Sequence, residues 1–139
     1  MYKLESVYTW IKTYNGFENL DFNFGISKNN NNVLIPAPND YLVYEDITGS
    51  KIRRLTFSVS NYKHLSNLPN TKDNLDNICE VQKFLDWIDT QDKLKNYPIF
   101  PDNCKIEYIK NLKNIPTTTE MNNNLARFYT QIQIQYIEK

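Results

Sequence analysis

Glycine is scarce in this chain, with three residues in 139: Gly16, Gly25 and Gly49. No two of them stand at the spacing of a phosphate-binding loop, so neither a P-loop nor a dinucleotide fingerprint can be built. Histidine and cysteine are as sparse: His64, Cys79 and Cys104 make at most one disulfide and no zinc site by themselves. Free thiols in a reducing cytoplasm are expected. No apolar run approaches the ~18 residues of a membrane span, and Glu5 stands where a signal peptide would have its apolar core, so secretion by the standard route is not expected. Excess charge is missing too. The 16 Lys and Arg are matched by 16 Asp and Glu, which argues against a strongly basic nucleic-acid binder.

What remains is rich in large rings and in asparagine. Ten Tyr, seven Phe and two Trp supply bulky side chains for the core of one small domain spanning 1–139. Twenty Asn, two Ala, and 13 Lys against 3 Arg fit the codon usage of an AT-rich genome and carry no function.

Periodicity then orders the elements. Leu4, Val7, Tyr8, Trp10, Ile11 and Tyr14 share an arc of a helix over 2–15, and Gly16 supplies its stop. From Leu20 to Ile26 the period switches to two, which predicts a strand. Val33-Leu34-Ile35 runs into Pro36 and Pro38 and is expected to be an edge or terminal strand. Residues 41–47 and 51–60 form a hairpin around Thr48-Gly49-Ser50, with Leu55, Phe57 and Val59 on the core side and Arg54, Thr56, Ser58 and Ser60 on the wet side. A second helix runs from about Asp73 to Leu94, capped by Thr71 or Asp73, with Ile78, Val81, Phe84, Leu85 and Ile88 as its buried stripe. Trp87 lies off that stripe and needs a cover, for which the segment 97–101 is the nearest candidate. Residues 105–112 and the strand from Ala126 to Tyr136 form a second hairpin across a polar loop, 116–124. The last strand sets Ala126, Phe128, Thr130, Ile132, Ile134 and Tyr136 against Arg127, Tyr129, Gln131, Gln133 and Gln135. The expected class is α+β, a largely antiparallel and possibly mixed sheet with two main helices on one face.

Residues able to do chemistry are few and scattered. His64 with Cys79 or Cys104 could pair as base and nucleophile, yet no local signature accompanies them. Asp86, Asp89 and Asp92 could form a carboxylate cluster, but no further ligand motif does. They read as a solvated helix face. Lys51-Ile52-Arg53-Arg54-Leu55-Thr56-Phe57 mixes bases and aromatics as single-strand nucleic-acid binders do, without the glycines of the RNA-recognition motif. Trp87 with Phe100 either anchors a partner or fills a second layer. The face of Tyr129, Gln131, Gln133 and Gln135 is either an ordinary wet face or a surface buried against another subunit. No catalytic, metal or cofactor site is assigned.

Three stretches together carry a family likeness: the hairpin YEDITGSKIRRLTFSVSNYKHLS (44–66), the helix and exit FLDWIDTQDKLKNYPIFPDNCKIEYI (84–109), and the ending ARFYTQIQIQYIE (126–138). In order and spacing they resemble the small tail terminator proteins of bacteriophages from low-GC Gram-positive hosts, often labelled minor capsid or tail completion proteins. The likeness covers roughly residues 30–139. The turn, where Asp46 and Gly49 are separated by Ile47-Thr48, and the Phe128-Tyr129 pair after Arg127 depart from the family pattern, so contacts at the turn do not carry over.

The resemblance implies a structural virion protein and no enzyme. It would form a hexameric ring that caps the tail tube, ends tube polymerisation and presents the surface joined by the head–tail connector, assembled in the bacterial cytoplasm without cofactors. It places the contacts with neighbouring subunits or the tube at the 46–54 hairpin tip, the 97–102 segment and the 114–124 loop. The candidate interface residues are Asp46, Thr48, Gly49, Ser50, Arg53, Arg54, Trp87, Tyr97, Phe100, Tyr129, Gln131 and Gln133. The alternatives are a head-completion or connector protein, and a monomeric module binding nucleic acid or a host factor. One charge asymmetry suits head-to-tail contacts: residues 70–92 hold six acids and two lysines, and 93–113 hold five lysines and two acids.

Overall fold

The structure, a computed structural model, describes residues 2–17, 19–22, 32–64, 71–113, 117–120 and 125–139, without the side chains of 37–41, 64, 71–74 and 117–120. The element order is α1 (Lys3–Ile11), β1 (Asp21–Phe22), β2 (Asn32–Glu45), β3 (Lys51–His64), α2 (Thr71–Leu94), β4 (Cys104–Asn111), β5 (Thr117–Glu120) and β6 (Leu125–Glu138). The class is α+β. The strands make one mixed sheet in the order β1-β2-β3-β6-β4, with β5 also on β6. Only β1 and β2 run parallel, through Asp21–Val33 and Phe22–Leu34.

The alternation in β3 and β6 acts as expected. Leu55 opposes Ile134 and Phe57 opposes Ile132, so both strands turn their apolar residues to one side. Onto that side pack Val7, Trp10 and Ile11 of α1 and Phe84 and Ile88 of α2, with Phe100, Ile109 and Tyr136 in the same core. Val81, Ala126 and Phe128 form a smaller cluster nearby.

Four expectations are corrected. The prolines do not end β2, because its pairing with β3 shifts register between Pro36 and Asp40, and a ladder already interrupted there tolerates residues that cannot donate. Thr117–Glu120, expected as loop, adds a short strand to β6 beside the N-terminal part of that strand. Helix α1 ends at Ile11 rather than near residue 15; Thr13 and Tyr14 donate backbone N–H groups to Trp10 and Ile11 in tighter i to i−3 turns, which still bring Tyr14 and Phe17 against the core. Ile78 is exposed rather than buried, as is Leu75, because the first turns of α2 stand clear of the described core. The predicted strand 20–26 is seen only at Asp21–Phe22, and residues 23–26 lie outside those described.

Trp87 has a different cover from the one expected. Its ring lies 4.9 Å from Trp10 and 5.4 Å from Tyr14, both from the first helical segment. Tyr14, Phe17 and Phe84 continue the cluster, with centroids 4.8–5.3 Å apart. Aromatic pairs in this geometry add ~0.5–1.5 kcal/mol beyond burial, and here they fasten α1 to α2. Replacing Phe84, nearly fully buried, by Ala is expected to lower stability by about 3–5 kcal/mol, measured by urea unfolding.

Candidate functional site

The hairpin tip is held by one carboxylate. Asp46 Oδ1 accepts from the Thr48 hydroxyl at 2.6 Å, the Thr48 N–H at 2.9 Å and the Ser50 N–H at 3.0 Å. Gly49 takes φ +88°, where a side chain would be strained, and its N–H donates to the Asp46 carbonyl. Asp46, Thr48, Gly49 and Ser50 thus form one compact turn that leaves the intervening Ile47 fully exposed. The Thr48 hydroxyl above all holds the Asp46 carboxyl below its ordinary value; desolvation opposes it, and the backbone N–H groups of Thr48, Ser50 and Gly49 add smaller lowering effects. A depressed carboxylate contributes order that is complete above its unfolded-state pKa and lost as pH falls through its folded value. Amide exchange at Thr48 and Ser50, corrected for intrinsic pH dependence, is expected to accelerate only below the usual carboxylate range. In Asp46→Ala the exchange should be fast at every pH, and a wild-type-like profile would contradict the role given to this side chain.

Behind the tip the two arginines separate. Arg53 points to the helical side, where its Nε lies 3.5 Å from Glu138 Oε1 and Lys3 Nζ lies 3.3 Å from Oε2. Burial opposes ionisation of Glu138, but the hydrogen bond and charge of Lys3, with Arg53 and Lys51, hold its carboxyl below the ordinary value.

Arg54 belongs to the other side of the sheet, which neither helix covers among the described residues. Its Nε donates to Gln135 Oε1 at 2.9 Å, and Tyr108 OH donates to the same oxygen at 3.0 Å. Gln133 Nε2 donates to Tyr108 OH at 3.1 Å, and Gln135 Nε2 to Glu107 at 3.1 Å. Further along, Arg127 Nε donates to Ser60 Oγ at 3.0 Å while its guanidinium lies 5.1 Å from the Tyr129 ring centroid. Lys110 Nζ sits 5.4 Å from the ring centroid of Tyr108. Side chains tied into a chain of bonds lose their rotamer freedom before any partner arrives, which lowers the entropy of binding. Of the predicted glutamines, Gln131 is exposed and Gln133 is only 6% exposed within this network.

A third region lies at the exit of α2. Asp92 Oδ1 accepts from Tyr97 OH at 2.8 Å and from the Ile109 N–H of β4 at 3.0 Å. Burial, then the hydrogen bond and charge of Asp92, push the Tyr97 phenol up to about 12. Trp10 Nε1 donates to the Asn96 carbonyl at 3.0 Å, which brings the exit segment onto α1. A shallow cavity of about 370 Å³ between them is lined by Trp10, Tyr97, Pro98 and Ile99 among others. Phe100 is buried edge-on against Tyr136 at 5.3 Å and serves the core, and Trp87 is half-buried. The sequence-predicted residues therefore do not form one patch: Asp46, Thr48, Gly49 and Ser50 make the tip, Arg54, Tyr129, Gln131 and Gln133 share the polar side of the sheet, Arg53 lies on the helical side, and Trp87, Tyr97 and Phe100 belong to the exit and the core.

The chemical candidates do not assemble. His64 pairs with Leu125 and Cys104 with Glu138, at opposite ends of β6; at ~3.3 Å per residue that is roughly 40 Å, far beyond contact. Cys79 is exposed, and both cysteines are free. The three aspartates have separate partners: Asp86 with Gln82, Asp89 with Asn111, and Asp92 with Tyr97 and Ile109. Among the described residues no group of three or more His, Cys, Asp and Glu is arranged to hold a metal ion, and no helix is long and apolar enough to cross a membrane.

Sequence reasoning missed Tyr108, Gln135 and Asp92 as organising residues. Gln135 was legible as a face residue of the last strand, but its link to Arg54 depends on strands 81 residues apart. Compared with protein-family models and with curated proteins, the chain matches none.

Asp92→Asn is expected to weaken the bonds to Tyr97 and β4 and to lower stability by about 1–2 kcal/mol. In an ultraviolet titration the Tyr97 phenol, at about 12 in the wild type, should then move toward the ordinary range near 10.

Proposed function

We propose that this chain is a tail terminator: a ring-forming structural protein that caps a phage tail tube or tail-like particle, stops its polymerisation and presents the head-joining surface. The observation that carries this reading is the polar side of the sheet, where Arg54, Tyr108, Gln133 and Gln135 are held in one hydrogen-bonded network with no helix over them among the described residues. A rigid polar face with few acids suits repeated contact with identical neighbours better than catalysis. The exposed, tightly tied hairpin tip and the resemblance of three stretches to terminator proteins support it further. Its partners would be further copies of itself, the tube protein and the head–tail connector, with no cofactor and no membrane. A head-completion protein would use the same surfaces against a different partner.

Deleting the gene is expected to give tails of uncontrolled length in electron micrographs, restored by the gene in trans. Tails of normal length would reject the proposal.

One observation favours a second reading. The open side also carries Lys110 over Tyr108 and Arg127 over Tyr129, the pairing of cations and rings that single-strand nucleic-acid binders use. Salt-dependent binding to an oligonucleotide would support that reading, and no binding at low salt would remove it.

A further inference from the structure

Along β3 the core side carries Leu55, Phe57 and Val59, all nearly fully buried, and the next position of that period is Asn61. Asn61 opposes Phe128 of β6 and is only 2% exposed, a place where the pattern asks for an apolar residue. Its Nδ2 finds no hydrogen-bond acceptor among the described residues. A buried donor left unmet carries its full desolvation cost, so nearly all such groups are satisfied by protein or by something bound. A polar residue that breaks a core pattern without an internal partner marks a place where the fold serves another purpose.

Asn61 lines a cavity of about 430 Å³, which falls within the size range of small-molecule sites. Three elements wall it. β3 contributes Asn61 and Lys63, which share one side of the strand; α2 contributes Glu80, Val81 and Lys83; and the turns after α1 contribute Tyr14 and Phe17. The Lys63 side chain is 12% exposed, and its Nζ lies 2.9 Å from Oε2 of Glu80, whose side chain is 60% exposed. The ammonium is thus drawn into the protein while its carboxylate partner stays at the rim. Among the described lining residues, two ammonium groups and the Asn61 donor stand against one carboxylate. Burial first, and then the charges of Glu80 and Asp86, push the Tyr14 phenol up, so that wall presents a neutral ring beside Phe17. The terminal torsion of asparagine is broad, and the amide turns its N–H toward an incoming oxygen at little cost.

From the unpartnered Asn61 amide in this cavity we infer that the cavity binds a small organic carboxylate. The carboxylate accepts from Asn61 and balances the charge of Lys63 and Lys83, and its hydrocarbon body lies against Tyr14, Phe17 and Val81. A neutral carbonyl would meet the amide and leave the surplus ammonium charge; a cation would meet neither. The site lies on the helical side of the sheet, away from the hairpin tip, the exit of α2 and the polar side, and it does not rest on the ring-forming function.

The test is an amide NMR titration of the full-length, nitrogen-labelled chain with hexanoate and with its neutral counterpart hexanamide. Hexanoate should give saturable shifts confined to the Asn61 side chain and the backbone of lining residues such as Phe17 and Val81, with half-saturation below about 1 mM. Hexanamide should bind at least about tenfold more weakly. Asn61→Leu puts an apolar side chain at an apolar position; it should keep its urea midpoint and lose more than about tenfold in hexanoate affinity, and Lys63→Met should lose about fivefold. Equal responses to the acid and the amide would overturn the carboxylate. Shifts spread over exposed lysines, no saturation up to about 10 mM, or undiminished binding by Asn61→Leu would overturn the site and leave water as the occupant of the cavity. Undiminished binding by Lys63→Met would overturn it equally, whether or not Asn61→Leu folds.

Discussion

The structure depends on one pairing, the antiparallel ladder of β3 and β6. Both strands have 14 residues, and they run in unbroken register from Lys51–Glu138 to His64–Leu125. Every other element is fixed by it. β2 hangs on the outer side of β3, β4 and β5 share the outer side of β6, and the helices cover the side on which Phe57, Ile132 and Ile134 stand. A one-residue slip would turn that whole apolar set outward, so burial of one side enforces the register of both strands.

The same ladder leaves a sheet with two unlike sides and two unlike edges. One side is dry and pinned by rings shared between α1 and α2. The other is polar, and its side chains are restrained by bonding to one another rather than by burial. At the edges, Asp92 accepts one outward N–H of β4, and the outer end of β2 carries exposed Leu42, Val43 and Tyr44 beside Lys51 and Arg53 of β3. Asymmetry of this kind favours association with a defined polarity.

Asp92 also shows how structural and chemical roles can be confused in a sequence. Three aspartates at helical spacing suggest a carboxylate cluster, yet each turns to a different partner. Asp92 orders the exit of α2 through Tyr97 and joins that exit to the sheet. Trp87 poses the converse problem: a large ring off the helical stripe suggests an exposed anchor, and the first helix supplies its cover.

Much of the fold was legible locally. The period-two alternation of 51–60 and 126–136, the helical spacing in 2–15 and 73–94, and the glycine in the 46–50 turn each follow from residues close in sequence, because backbone sterics and one-sided burial act over a few positions. The passage of β2 through its prolines and the strand at 117–120 were not legible, since each depends on the strand it pairs with, and the end of α1 was not because its last turn tightens to i to i−3 bonds without a sequence signal. The candidate surface divides in the same way. The sequence determined which residues of β3 and β6 share a side and that the turn at Gly49 is tight. Only tertiary structure decided that Arg54 and Tyr108 both meet Gln135, that Phe100 is core, and that Asp92 accepts an outward N–H of β4, because those contacts join segments whose separation along the chain carries no local signal.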